Sequence, residues 1–261
     1  GPGAHTLSDP AGAYNAIVVG NAEFDSAGRP AADRAYPRPD QFNVGRAIVA
    51  NSSSRGPVSA GSTRGRVDLV AQGVGNLQAF AMTAQVGSNF GQDVAFDPST
   101  DRRLYSTESR TGPGNVVAQE GTSFAAPTVT GTVALMLERG KANFVGMNLF
   151  KAQNPVAIKS VLQTTADKPA GWHVGGALDA GDTTISLSYD WGAGLMNPVR
   201  AVSLMSGPPV THRTSSVITG PGWDVSVMPT VRGAETLGTL AGNFYMLGGV
   251  AAGQSLTATL N

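Results

Sequence analysis

Apolar positions in this chain come in short bursts set between polar stretches rich in Gly and Pro. "YNAIVVG" (residues 14–20) is an apolar run closed by Gly20, the pattern of a buried strand. Residues 21–41 are polar and carry Pro30, Pro37 and Pro39, which predicts a loop. "RAIVANSSSRGP" (46–57) is a second short apolar run that breaks into a Ser-rich turn. "GRVDLVAQGVG" (65–75) repeats the design, a brief Val/Leu strand followed by glycines. Residues 97–115, "DPSTDRRLYSTESRTGPGN", predict a long polar loop, of a length that suggests function or mobility.

The period then changes from strand to helix. Over residues 123–139, Val129, Val133, Met136 and Leu137 fall on one helical face, and Gly140 reads as the stop. A second helix is predicted after "QNP", with Asn154 as its cap and Pro155 in its first turn. Ile158, Val161 and Leu162 share its inner face. "SYDWGAGLMNPVRAV" (188–202) is a Gly-rich turn followed by a third short helix at Pro198. Beyond Gly207 the chain is Thr, Ser, Gly, Pro and isolated Val. "WDVSVM" and "QSLTATL" alternate as strands do, which predicts the start of a β-rich region.

Composition narrows the function classes. The chain has 261 residues, 41% of them hydrophobic, which is enough for a substantial core. Only 14% are charged, against about 25% in an average soluble domain. Formal net charge is zero and no basic stripe occurs, which argues against nucleic acid and against electrostatic membrane attachment. No apolar run approaches the ~18 residues of a membrane span. The opening "GPGAHTLSDP" has neither the cationic nor the apolar segment of a secretory signal. The absence of cysteine excludes disulfides, thiolate metal sites and cysteine nucleophiles within this sequence.

The candidate chemistry lies in "EGTSFAAPTVTGTVALML" (120–137). A serine hydroxyl at a helix N-terminus sits beside unpaired backbone N–H groups and the positive end of the helix dipole. Those groups stabilise the oxyanion formed when the serine attacks an acyl carbon. Gly121 would permit a tight turn before the helix. Ala125 and Ala126 would keep its first turn slim, and Pro127 lacks an N–H that a first turn does not need. The same letters also suit an ordinary core helix, with Thr122 or Ser123 as N-cap. Ser123 is the candidate nucleophile.

"GTSFAAPTVTG" resembles the nucleophile motif of the subtilisin-like serine proteases, the subtilases, Gly-Thr-Ser-x-Ala-x-Pro-x-Val-x-Gly, through Val129 and Gly131. "AYNAIVVGNA" is similar to the family's Asn-Val-Ile-x-Val-Gly-Ala strand, and "NSSSRGP" to its Phe-Ser-Ser-Arg-Gly-Pro turn. "GRVDLVAQGV" resembles its Pro-Asp-Ile-x-Ala-Pro-Gly-Val segment, with Gln72 where proline is usual. "DWGAGLMNPVRAV" resembles the Tyr-Gly-x-Gly-x-Val-Asn segment that ends the catalytic domain. These segments keep the family's order across residues 14–202.

The resemblance implies an α/β fold with a subtilisin-like doubly wound parallel sheet, lacking its N-terminal strands and followed by the start of a β-rich C-terminal domain. Residues 1–206 would be the C-terminal part of the catalytic domain, and 207–261 a linker and partial β-rich domain. It implies a serine endopeptidase secreted from the cell, acting on polypeptides, with Ser123 as nucleophile and no required cofactor. Many members bind structural calcium, although no Asp/Asn-dense run of EF-hand type occurs here. Asp68 matches a fixed position of the pattern and is expected to cap or pair locally. The family's acid and base precede its serine, yet neither the Asp-x-Gly nor the His-Gly-Thr motif is found before Ser123. His5 is followed by Thr6 and Leu7 and lies too close to the first matched strand. The expectation is therefore that this sequence is the C-terminal portion of a subtilase and that its partner in activity is the missing N-terminal part of the catalytic domain, encoded upstream of Gly1 with the acid, base and oxyanion asparagine. Alone, the segment is expected to be inactive.

Two other readings stand beside this one. "GTSFA" is close to the Gly-x-Ser-x-Gly elbow of α/β-hydrolases, in which Asp190 and His212 would complete an esterase triad after a strand at "NVVAQ". The chain would alternatively be a catalytically inactive subtilase-derived segment with a binding or structural role.

Overall fold

Polar neighbours decide where the first strand begins. The computed structural model describes residues 6–7, 11–13, 16–24, 47–57, 67–73, 76–79, 95–97, 102–104, 112–113, 116–119, 121–175, 187–210, 217–226 and 246–247. Strand β1 (Val19–Phe24) starts later than the apolar run suggests. The preceding Val18 is engaged by Asp68, whose Oδ2 accepts the Val18 N–H at 2.8 Å while the Asp68 N–H donates to the Val18 carbonyl at 2.9 Å. β2 (Ala47–Val49) and β3 (Leu69–Gln72) flank β1. The β1–β3 pair is parallel, from Val19↔Leu69 to Ala22↔Gln72, and β1–β2 is antiparallel, from Ala22↔Val49 to Phe24↔Ala47. The parallel β1–β3 pair fits the expected incomplete α/β fold, and the antiparallel β2 makes the sheet mixed. A parallel return needs a crossover, usually helical, and Pro30, Pro37 and Pro39 disfavour one between β1 and β2.

The chain divides into two compact units. The first comprises Gly1–Ala13, Val18–Thr128 and Lys168–Leu195. Its core gathers Ala22, Ala47, Val67, Val70, Trp191 and Leu195, with Leu7, Val49 and Trp172 packed at the margin. The Gly-rich turn covers the free side of β3: Val70 N–H donates to the Gly194 carbonyl and Ala193 N–H to the Asp68 carbonyl, both at 2.9 Å. Gly192 (φ 58°) is required there, because a Cβ would come within 2.4 Å of the Val67 carbonyl. Trp172 Nε1 donates to the Gly192 carbonyl at 3.0 Å, and Lys168 Nζ lies 4.7 Å from the indole centroid while donating to the Ala193 carbonyl.

After β3, strand β4 (Asn76–Ala79) pairs antiparallel with a later strand, while β5 (Ala95–Asp97), β6 (Arg102–Leu104) and β7 (Gly112–Pro113) form a small antiparallel meander. Part of the segment expected to be a loop at 97–115 is therefore strand. Ladders of two or three residues leave no alternating pattern for sequence to show. β8 (Val116–Gln119) is the partner of β4, from Asn76↔Gln119 to Ala79↔Val116, and leads toward the first helix.

Helix α1 (Thr122–Asn143) begins in the first unit and continues into the second, which comprises Tyr14–Ile17, Val129–Asp167 and Met196–Asn261. Its buried positions Ala125, Val129, Thr132, Met136 and Gly140 recur at helical spacing, while Val133 and Leu137 flank them half-buried. Gly140 does not stop the helix. It is buried against α2 (Gly146–Ala152), where a Cβ would stand 3.1 Å from Ala152 Cβ. α3 (Pro155–Thr165) and α4 (Pro198–Ser206) start as expected, each with proline in the first turn. Asn154 Oδ1 accepts the Val156 N–H at 2.9 Å and Asn197 Oδ1 the Arg200 N–H at 3.0 Å. Asp167 receives Asn197 Nδ2 at 2.9 Å and Arg200 Nη1 at 2.7 Å.

Residues after Gly207 are anchored within this unit. Trp223 meets Phe144 edge-on at 5.9 Å, and its Nε1 donates to the Gly207 carbonyl at 3.0 Å. Lys151 Nζ reaches Asp224 Oδ1 at 2.6 Å, with the Asp224 side chain only 1% exposed. Residues 223–226 of the expected strand "WDVSVM" are not strand, since Trp223 and Asp224 are committed to these side-chain contacts. β9 (Val217–Ile218) and β10 (Met246–Leu247) pair in parallel, and "QSLTATL" lies outside the described residues.

Candidate active site

Ser123 is the second residue of α1 and is exposed. The turn that presents it is set by Gly121, at φ 135°, a conformation L side chains rarely adopt. The Gly121 N–H donates to the Gly73 carbonyl at 2.8 Å, and the Gly73 N–H to the Ala22 carbonyl at 3.2 Å. The end of the sheet thereby fixes the start of the helix. The Gly121 carbonyl accepts from the Phe124 and Ala125 N–H groups at 3.0 and 3.3 Å, which leaves the Ser123 N–H among the first-turn donors with no intrahelical acceptor. Among the described residues the Ser123 hydroxyl makes no hydrogen bond, so it does not act as a side-chain cap for α1.

Gly73 is the tightest point of this construction. A Cβ there would lie 2.4 Å from the Gly121 carbonyl oxygen, 2.5 Å from Asn21 Oδ1 and 3.0 Å from Ala125 Cβ. Pro127 falls deeper than the first turn, as the sixth residue of α1. An N–H at that position would bond to the Ser123 carbonyl four residues back; proline removes that bond and crowds the carbonyl. The helix is therefore loosened at the serine. Ala125 is fully buried beneath the turn, as a slim first turn requires.

The other titratable candidates do not converge on Ser123 in the described residues. His173 Nδ1 lies 3.1 Å from the neighbouring Val174 carbonyl. Asp190 faces Arg55, with Oδ2 3.7 Å from Nη1. His5 and His212 lie outside the described residues. β8, the strand at "NVVAQ", pairs antiparallel with β4. Asp68 is a buried structural carboxylate, as expected, but its Oδ2 is committed to Val18, 50 residues away, rather than to a local cap. Asn21, which the sequence pattern did not single out, is fully buried beside Gly73. Among the described residues no group of three His, Asp or Glu could hold a metal ion, and no helix is long and apolar enough to cross a membrane.

Comparison with known proteins adds an independent line. The sequence matches the profile of the Subtilase family (Peptidase_S8) over residues 1–192. It is 30% identical over 156 residues to the subtilisin-like protease SBT3.9 of Arabidopsis thaliana, covering 59% of this chain and 16% of that protein. To the subtilisin-like protease SBT3.4 of the same plant it is 27% identical over 169 residues, covering 63% of this chain and 17% of that protein. The chain thus spans about one sixth of the length of these curated relatives. Among solved structures, fervidolysin from Fervidobacterium pennivorans, a keratinolytic enzyme related to subtilisin, matches 81% of this chain and 22% of its own, with 21% identity and a TM-score of 0.45.

Proposed function

The chain belongs to the subtilase family, and on that premise we propose that it carries the nucleophile of a serine endopeptidase, Ser123. The observation that supports this most is the exposed Ser123 in the first helical turn, on a Gly121 turn hydrogen-bonded to Gly73, within the motif "GTSFAAPTVTG". Ser123 Oγ would attack the carbonyl carbon of a polypeptide substrate and form an acyl-enzyme, which water then hydrolyses. The Ser123 N–H is suited to donate to the oxyanion, because the helix gives it no acceptor.

The base and the acid that orients it are supplied, in this reading, from outside residues 1–261, together with a second oxyanion donor. In subtilisin itself, loss of the serine or histidine alone lowers kcat about 10⁶-fold, a figure that belongs to that enzyme. Residues 1–261 alone are accordingly expected to be nearly inert. The esterase arrangement of Ser123, Asp190 and His212 is disfavoured because Asp190 already faces Arg55. A non-catalytic segment would not need an exposed serine on a turn that only glycine adopts readily. Residues 207–261 are assigned to a linker and β-rich region, and secretion is part of the same proposal, resting on family membership and the cysteine-free, low-charge composition.

The test is hydrolysis of casein by the full-length protein and its Ser123→Ala variant. Loss of hydrolysis in a folded Ser123→Ala protein supports the reading; hydrolysis at the wild-type rate would exclude it.

A further inference from the structure

Asn21 stands on β1 with no exposed surface, and its polar groups are unevenly matched. Its backbone N–H donates to Ser53 Oγ and its Nδ2 to Ser52 Oγ, both at 2.9 Å. Oδ1, equally buried, has no hydrogen-bond partner. An orphaned buried amide oxygen costs about 1–3 kcal/mol, and an apolar residue would fill this strand position without that cost. The strand pattern that the segment resembles has alanine there.

The surroundings of Oδ1 explain why an amide is kept. A Cβ built on Gly73 would meet Asn21 Oδ1 at 2.5 Å and the Gly121 carbonyl oxygen at 2.4 Å, so both oxygens crowd the same face of Gly73. Oδ1 and the Gly121 carbonyl oxygen are both acceptors, so Oδ1 gains no hydrogen bond from this neighbour, while the Gly121 carbonyl takes the Phe124 and Ala125 N–H groups. Amide oxygen and nitrogen are nearly the same size, and the hydrogen-bond network decides their order. Turned by half a rotation, the amide directs its N–H₂ toward the Gly121 carbonyl and lets the Ser52 hydroxyl donate to Oδ1. Both ends of the Asn21 amide then have a partner.

Resting on the peptidase reading above, we propose that Asn21 is a positioning residue that braces the nucleophile turn through the Gly121 carbonyl. That carbonyl also accepts the Phe124 and Ala125 N–H groups, so holding it fixes the helical turn on which Ser123 stands. Asn21 touches neither substrate nor the reacting atoms. Its effect passes through Gly121.

Asn21→Ala and Ser52→Ala, made in the full-length protein, test this with three readouts. The expected result for Asn21→Ala is amide hydrogen exchange about tenfold faster at Gly121, Phe124 and Ala125, with Val70 on β3 unchanged. kcat falls about tenfold at unchanged KM, in keeping with the cost of misplaced reacting groups, while Tm falls modestly with the hydrogen bonds lost. Ser52→Ala moves exchange and kcat in the same direction, by a smaller factor. Unchanged exchange at residues 121–125 would overturn the proposal, as would equally faster exchange at Val70, the signature of a merely structural residue. If Ser123→Ala leaves hydrolysis intact, the peptidase reading fails, while the exchange measurement still decides the brace.

Discussion

Replacing Gly73 by alanine probes the joint on which the site depends. The added methyl group would stand 2.4 Å from the Gly121 carbonyl oxygen, against 3.4 Å or more for an ordinary contact, so that peptide must retreat by 1.0 Å. It cannot retreat freely, because Gly121 is tied by its N–H to the Gly73 carbonyl at 2.8 Å. The methyl group also meets Asn21 Oδ1 at 2.5 Å, on a fully buried side chain. Overpacking of this kind costs about 1–3 kcal/mol. Loss of the Gly121–Gly73 hydrogen bond adds about 1 kcal/mol. The sum, about 2–4 kcal/mol, corresponds to a fall in Tm of roughly 4–16 °C for a domain of this size. Displacement of the turn by about 1 Å also lowers kcat on the order of 100-fold in whatever remains folded. Urea titration and thermal unfolding of the full-length Gly73→Ala variant measure the first effect, and initial rates on a peptide substrate the second. A Tm within about 2 °C of wild type together with unchanged kcat would refute the reasoning.

Asp68→Ala leaves the buried Val18 N–H without its carboxylate partner, and the expected loss is about 1–3 kcal/mol; urea midpoints check this, and unchanged stability with lost turnover would show that Asp68 acts in the chemistry instead. Pro127→Ala restores a donor for the Ser123 carbonyl and is expected to raise stability by about 1–3 kcal/mol while slowing turnover; a fall in Tm would contradict the loosened-helix account. Asn154→Ala removes the cap on the Val156 N–H and should cost about 1 kcal/mol with catalytic rates unchanged, measured by thermal unfolding and steady-state kinetics.

Features fixed by neighbouring residues were legible in the sequence. Asn154 before Pro155 and Asn197 before Pro198 declare helix starts because cap and proline act within one turn. Ser123 was marked as a candidate by its motif, and Asp68 as a structural residue by its place in a matched segment. α2 was missed, and its residues explain why. Val145 provides no side-chain cap, Gly146 begins it at φ 57°, and exposed Met147 and Phe150 blur any apolar face. Gly140 was misread as a stop because its reason, close packing on Ala152, is a tertiary contact. The same holds for Gly73 and Asn21. Their importance lies around Gly73, which Asn21 and Gly121 approach from about 50 residues before and after it in the chain, and spacing in sequence carries no trace of that meeting.

Fluorophosphonate treatment of the full-length protein, followed by peptide mapping, addresses the central claim most directly. The account predicts a single stoichiometric adduct on the peptide containing Ser123, blocked by prior incubation with a peptide aldehyde and absent from Ser123→Ala. An unmodified Ser123 in protein that hydrolyses casein, with the adduct on another serine, would contradict it.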